Sequence, residues 1–147
     1  MVTLERMRWW HIEDVLPLER ALFQDDTWTA RTYWSELGQI DTRYFLVALA
    51  GDRVVGYAGL CAYPDEAFVQ TIGVAADAQG AGVGAQLLQA LLDEAARRRK
   101  TTVSLEVRAD NAVAQRLYER FGFRPVGVRR GYYSPSGTDA VVMTRSS

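Results

Sequence analysis

The stretch Ile72-Gly73-Val74-Ala75-Ala76-Asp77-Ala78-Gln79-Gly80-Ala81-Gly82-Val83-Gly84-Ala85-Gln86-Leu87-Leu88 carries three structural signals in succession. Its upstream side reads as a strand, because Phe68, Val69, Thr71, Ile72 and Val74 are apolar or β-branched. Its downstream side reads as a helix: Val83, Leu87, Leu88, Leu91 and Ala95 recur at helical spacing and make one apolar face. Between the two stand Gly80, Gly82 and Gly84. A helix that starts there presents backbone N–H groups with no internal partner, and its dipole adds partial positive charge at the same end. Glycines remove the side chains that would keep an anion away. Strand, glycine turn and helix N-terminus together predict a phosphate cradle. No Lys-Ser or Lys-Thr follows the glycines, which excludes the nucleotide P-loop, and the spacing is not Gly-x-Gly-x-x-Gly, which excludes the dinucleotide fingerprint.

Upstream of this stretch, residues 44–50 and 54–62 read as strands joined by a turn at Gly51-Asp52. Pro64-Asp65-Glu66 leads into a third strand over 68–74, and short turns make the three antiparallel. Gly73 inside a strand predicts a bulge or a close backbone approach. Nearer the N-terminus, residues 2–7 read as a short strand and 12–23 as a helix. Pro17 is awkward there, so the helix either starts near Leu16 or is kinked. Thr29 is expected to cap the next helix, with Trp28 and Tyr33 as a hydrophobic staple. Trp28, Tyr33 and Trp34 form an aromatic cluster that either packs that short helix or makes one wall of a substrate groove.

Downstream, the helix ends at Arg97-Arg98-Arg99-Lys100, a basic run that reads as a solvated C-terminus complementing the dipole or as a partner-binding patch. Residues 102–107 form a strand, and strand–helix–strand predicts a parallel pair with a right-handed crossover. A last helix over 111–121 presents Ala114, Leu117, Tyr118 and Phe121 on one face and stops at Gly122. Strands at 123–128 and 139–144 close the chain around a turn-rich loop that holds Tyr132 and Tyr133. The architecture expected is a mixed, largely antiparallel sheet with helices on it.

The 147 residues, 48% hydrophobic and 24% charged, fit one globular domain spanning 1–147. A formal net charge of -1 argues against general affinity for nucleic acid. Cys61 is the only cysteine, which excludes an internal disulfide and a thiol metal cluster, and it reads as packing. His11 is the only histidine and has no nucleophile beside it, which speaks against a hydrolase triad. No apolar run approaches the ~20 residues needed to span a membrane. Met1 to Arg6 lacks the layout of a signal peptide, so the expected location is cytoplasmic. Glu106 is the only acid in Val103-Ser104-Leu105-Glu106-Val107. A carboxylate in an apolar strand is paired, here with Arg108, or it is working. Tyr118, on the apolar face of the last helix, is either core or a working hydroxyl. Asn111 reads most simply as that helix's cap.

The element Gln79-x-x-Gly82-x-Gly84 resembles the coenzyme A pyrophosphate loop of the GNAT acetyltransferases, written in that family as Gln/Arg-x-x-Gly-x-Gly/Ala. Leu105-Glu106-Val107-Arg108-Ala109-Asp110-Asn111, then Ala114, Leu117-Tyr118-Glu119 and Phe121-Gly122-Phe123, resemble the C-terminal half of the family's RimI branch. That branch acetylates the N-terminal alanine of a small-subunit ribosomal protein. Arg129-Arg130-x-Tyr132-Tyr133, Asp139-Ala140-Val141-Val142-Met143 and the early segment 23–28 extend the likeness over nearly the whole chain.

The resemblance implies the GNAT fold: an α/β (α+β) arrangement with a mixed, mostly antiparallel sheet of about six to seven strands and about four helices. It implies acetyl-CoA as cosubstrate, no metal, and a protein N-terminus as acceptor, with lysine side chains, small amines or mere coenzyme binding as the alternatives. Glu106 becomes the general base and Tyr118 the general acid, expected as a hydroxyl at the start of its helix. Asn111 and Tyr118 become coenzyme contacts. Ile72, Gly73 and Val74 become backbone contacts to the pantetheine. Gln79, Gly80, Ala81, Gly82, Val83, Gly84 and Ala85 surround the pyrophosphate. Trp28, Tyr33, Tyr132 and Tyr133 are the candidates for the acceptor groove. Many relatives carry a basic residue where this chain has Gly80-Ala81, which implies that backbone N–H groups hold more of the phosphate here.

Overall fold

Period-two apolar patterning in the strands and period-3.6 patterning in the helices give one sheet covered on both faces. The computed structural model describes residues 2–23 and 27–146, so residues 24–26 of the early segment 23–28 lie outside the described residues. Its strands are β1 (Thr3–Arg6), β2 (Arg43–Ala50), β3 (Arg53–Ala62), β4 (Ala67–Val74), β5 (Thr102–Arg108), β6 (Arg124–Arg129) and β7 (Ala140–Ser146). Its helices are α1 (Ile12–Leu22), α2 (Ala30–Leu37), α3 (Val83–Arg97) and α4 (Ala112–Arg120). The sheet order is β1-β2-β3-β4-β5-β7-β6, with β4 and β5 parallel and the other pairs antiparallel.

Alternation along β2 separates two cores. Leu46 and Ala48 join Leu87, Leu88 and Leu91 of α3 with Leu105 and Val107 of β5. Phe45 and Val47 face the other way and join Val15, Tyr33 and Tyr57 under α1 and α2. Each fully buried leucine on α3 contributes roughly 1.5–3 kcal/mol. The expected staple is present: Thr29 Oγ1 accepts the Thr32 N–H, and the Trp28 and Tyr33 rings lie 5.0 Å apart. α1 begins at Ile12, ahead of Pro17, so the start near Leu16 does not occur.

The bulge in β4 is not at Gly73. Gly59 pairs with Thr71 and Leu60 with Val69, which leaves Gln70 as the extra residue. Gly73 is needed for a close approach by a ring: a Cβ there would lie 2.6 Å from Tyr57. The basic run is solvated at Arg97 and Arg99, and it is tied back to the fold by its hydrogen bonds. Arg97 and Arg98 bond the buried Glu94, Arg98 also donates to the Asp41 carbonyl, and Lys100 donates to the Pro64 carbonyl. Cys61 is buried, as expected of a packing residue.

Beneath α1 lies a buried carboxylate. Glu19 accepts hydrogen bonds from Tyr57 Oη at 2.7 Å, Tyr33 Oη at 3.1 Å and the Trp28 N–H at 3.0 Å. Burial first, then the Glu19 charge, pushes both phenols far above their ordinary range. Burial also pushes Tyr118 up to about 12. The sign follows from linkage: unfolded tyrosines release their protons near pH ~10, while these three retain theirs in the fold. Their contribution is intact below that pH and is lost as pH rises past it, by about 1.4 kcal/mol per pH unit for each group. Denaturant midpoints are therefore expected to fall steeply between about pH 10 and 12, and flat midpoints over that range would contradict the buried phenols.

Candidate active site

β4 and β5 pair at three positions only, Ala67 with Val103, Phe68 with Ser104 and Val69 with Leu105. Beyond Val69 and Leu105 the strands part. β4 stays paired to β3 as far as Val74, and β5 stays paired to β7 as far as Arg108. The fork leaves one backbone edge of each strand without a partner strand. The Ala75 N–H donates to the Val55 carbonyl, toward β3. Strand alternation then aims the N–H groups of Ile72 and Val74 into the fork. Gln79 reaches back and donates from Nε2 to the Val74 carbonyl at 3.0 Å. That carbonyl shares the free edge with the Val74 N–H, so Gln79 leaves the donor as the group on offer.

The glycine turn follows. Gly80 and Gly82 adopt left-handed φ values of 85° and 83°, and a Cβ on either would meet nothing within 4 Å. The turn therefore needs glycine for its backbone conformation, and the space above it is open. Gly82 starts α3 with no side-chain cap, and no acid stands in the first turn. By contrast, Thr29 caps α2, and Asn111 caps α4 by accepting the Ala114 N–H at 3.1 Å. The N–H groups of Val83, Gly84 and Ala85 are left at the mouth of the fork with the positive end of the α3 dipole. Among the described residues this set of donors suits an anion.

Glu106 is the first residue of β5 past the last pair with β4. Val103, Leu105 and Val107 point into the α3 core, so Glu106 points to the other face. Its Oε2 is buried and accepts no hydrogen bond, and the nearest cation is Arg129 Nε at 3.6 Å. Pairing with Arg108 does not occur: Arg108 bonds Asp110 and Thr138 and lies over the Tyr133 ring. β5 directs Glu106 and Arg108 the same way, but the turn at Asp110 offers Arg108 a nearer carboxylate.

Tyr118 sits in the last turn of α4, not at its start, because that helix ends at Arg120. Its ring is buried edge-on to Phe123, on the α3 face of the sheet. It and Glu106 therefore belong to opposite faces of the sheet beside the fork. Burial, with a smaller contribution from Tyr133, pushes its hydroxyl up to about 12 and keeps it protonated across the neutral range. The Tyr132 and Tyr133 rings pack edge to face at 5.2 Å, and Arg129 lies over Tyr132. The loop between β6 and β7 thus brings Tyr132 to Arg129 and Tyr133 toward Tyr118.

The aromatic cluster near α2 does not survive as one unit. Tyr33 has no exposed surface and its hydroxyl is held by Glu19, so it packs the core and cannot line a groove. Trp34 stacks on Trp9 instead, with ring centroids 6.2 Å apart. Trp28 lines an open cleft with Arg20, Phe23 and Thr29, and Trp34 lines a separate one with Arg6, Trp9 and Ile40. Gln70, Glu19 and Arg129 had not been singled out. Gln70 and Glu19 had left a signal, a polar residue within an apolar strand and on an apolar helix face.

Residues 4–123 match the sequence pattern described as the acetyltransferase (GNAT) family. The chain belongs to the GNAT family. It is 44% identical over 135 residues to the N-alpha-acetyltransferase RimI of Mycobacterium tuberculosis, covering 88% of this chain and 83% of that protein. It is 39% identical to the [ribosomal protein bS18]-alanine N-acetyltransferase of Salmonella typhimurium, covering 79% and 78%. Among solved structures, the ribosomal-protein-S18-alanine N-acetyltransferase of Escherichia coli superposes with a TM-score of 0.87 at 31% identity, over 99% of this chain and 94% of that one. The seven-stranded sheet and four helices are the GNAT fold expected from the loop motif.

Proposed function

We propose that this GNAT protein transfers the acetyl group of acetyl-CoA to the α-amine of an N-terminal alanine on a small-subunit ribosomal protein. The observation that carries the reading is the fork. A free strand edge runs from a buried carboxylate oxygen without a hydrogen bond, where β4 and β5 part, toward an uncapped helix N-terminus past the end of β4. The named activities of the relatives support the choice of acceptor.

An α-amine has a pKa near ~8, so at neutral pH it is mostly protonated and cannot attack. Glu106 takes that proton, directly or through one water. Bound acetyl-CoA supplies the acetyl group as a thioester. The Val74 N–H, aimed into the fork, stabilises negative charge on the reacting carbonyl oxygen. The Tyr118 hydroxyl gives a proton to the departing sulfur. The N–H groups of Val83, Gly84 and Ala85 hold the pyrophosphate, and Gly80, Ala81 and Gly82 let it approach. Asn111 commits its Oδ1 to the α4 cap and keeps its amide N–H groups for the coenzyme.

Tyr132, 44% exposed with Arg129 over its ring, belongs to the acceptor groove in this reading. Tyr132→Ala is expected to raise the peptide KM by about tenfold, a loss of some 1.4 kcal/mol, and to spare acetyl-CoA binding. A fall in thermal stability with KM unchanged would make the residue structural. The reading as a whole is tested by thiol release from acetyl-CoA with three acceptors: a peptide with free N-terminal alanine, an N-terminally blocked peptide with free lysine, and a polyamine. Release with the first alone is expected. Release with only the lysine peptide or the polyamine would contradict it.

A further inference from the structure

At the fork, two buried side-chain oxygens among the described residues have no hydrogen-bond partner: Glu106 Oε2 on β5 and Gln70 Oε1 on β4. Each belongs to the first residue past the last β4–β5 pair, Val69 with Leu105. Gln70 is also the bulged residue of β4. Ala67 and Val69 before it, and Ile72 and Val74 after it, all face the α3 core. The bulge absorbs the odd residue and leaves the Gln70 side chain out of that core, on the face where Glu106 stands. Buried amide oxygens nearly always accept a hydrogen bond, and one left without a donor destabilises the fold. Two acceptors at matching positions on one face suit a ligand with at least two N–H donors. A primary ammonium, with three, meets that requirement.

We infer that Gln70 is an acceptor-binding residue: Gln70 Oε1 and Glu106 Oε2 together receive the α-ammonium of the incoming chain. This inference rests on the acetyl-transfer reading given above. One N–H proton passes to the Glu106 carboxylate, which becomes a carboxylic acid, and the ammonium becomes a neutral amine. Of the two N–H bonds that remain, one stays on Gln70 Oε1. That bond fixes the direction of the lone pair while the new C–N bond forms. The other proton leaves as the C–S bond breaks and the amide forms, replacing the proton that Tyr118 gives to the departing sulfur.

The test compares wild type with Gln70→Met, which keeps the volume and removes the amide. The expected result has three parts: peptide KM about tenfold higher, acetyl-CoA affinity by calorimetry unchanged, and a melting temperature equal to or above wild type. The last part separates this role from a structural one, because removing an unsatisfied buried amide relieves the fold while removing a bonded one weakens it. An unchanged KM, or a lower melting temperature alongside a higher KM, overturns the inference and leaves the acetyl-transfer reading standing. A wild-type protein that neither binds nor acetylates the alanine-ended peptide overturns both.

Discussion

Glu106→Gln is expected to lower the acetylation rate at pH 7 by about 100-fold or more, with acetyl-CoA binding within about twofold of wild type. The substitution keeps the shape of the side chain and its place where β4 and β5 part, so the loss reports proton removal. At pH 7 about nine in ten α-amines are protonated, given a pKa near ~8. Without a base the reaction waits on the free fraction, which accounts for about tenfold, and the rest of the loss is the missing general-base help in the transition state. Raising the pH toward 9 is expected to recover part of the rate, because the free amine then forms unaided. The alternative role, a partner for Arg129 across 3.6 Å with that guanidinium largely exposed, supports little stability. It would leave the rate of Glu106→Gln near wild type. Tyr118→Phe removes a different proton. Its defect is expected to shrink as pH rises, since the departing thiol, with a thiol pKa near ~8.5, then leaves as thiolate without help.

The second large effect concerns the glycine turn. Gly82→Val is expected to abolish measurable acetyl-CoA binding, because a branched side chain would occupy the open space above the turn. The same change also strains the backbone by roughly 1–2 kcal/mol, because Gly82 has a left-handed φ. A second variant separates the two effects. Ala85→Glu puts a carboxylate in the first turn of α3, where the dipole makes it worth about 0.3–1 kcal/mol of added stability. The same charge repels a pyrophosphate, and affinity is expected to fall by about tenfold or more. Calorimetry and thermal melts on Ala85→Glu should therefore move in opposite directions. Unchanged affinity would place the anion elsewhere.

The parts of the fold that rest on local periodicity were readable from the chain. β2, β3 and β4 follow from apolar runs with short turns, and the parallel β4–β5 pair follows from strand–helix–strand order. Thr29 and Asn111 were readable as caps because capping depends on residues three apart. The misreadings came where a long-range partner decides. Gly73 allowed a bulge or a close approach, and only the Tyr57 ring across the ladder selects the second. Arg108, close in sequence, was the partner open to Glu106 if it was paired rather than working, whereas Asp110 holds Arg108 and Arg129 arrives from β6. Tyr33 looked available to substrate because the buried carboxylate that holds it lies on α1. Gln70 and Glu106 stand level across the fork only because the β4–β5 register stops at Val69 and Leu105, and no local pattern encodes that stop.

The most direct test of the account uses one peptide carrying both a free N-terminal alanine and an internal lysine, incubated with the protein and acetyl-CoA and mapped by tandem mass spectrometry. A single acetyl group on the alanine α-amine, absent when Glu106→Gln replaces the wild type at pH 7, is the predicted result. Acetylation of the lysine with the α-amine left free, or an equal yield from Glu106→Gln, would contradict it.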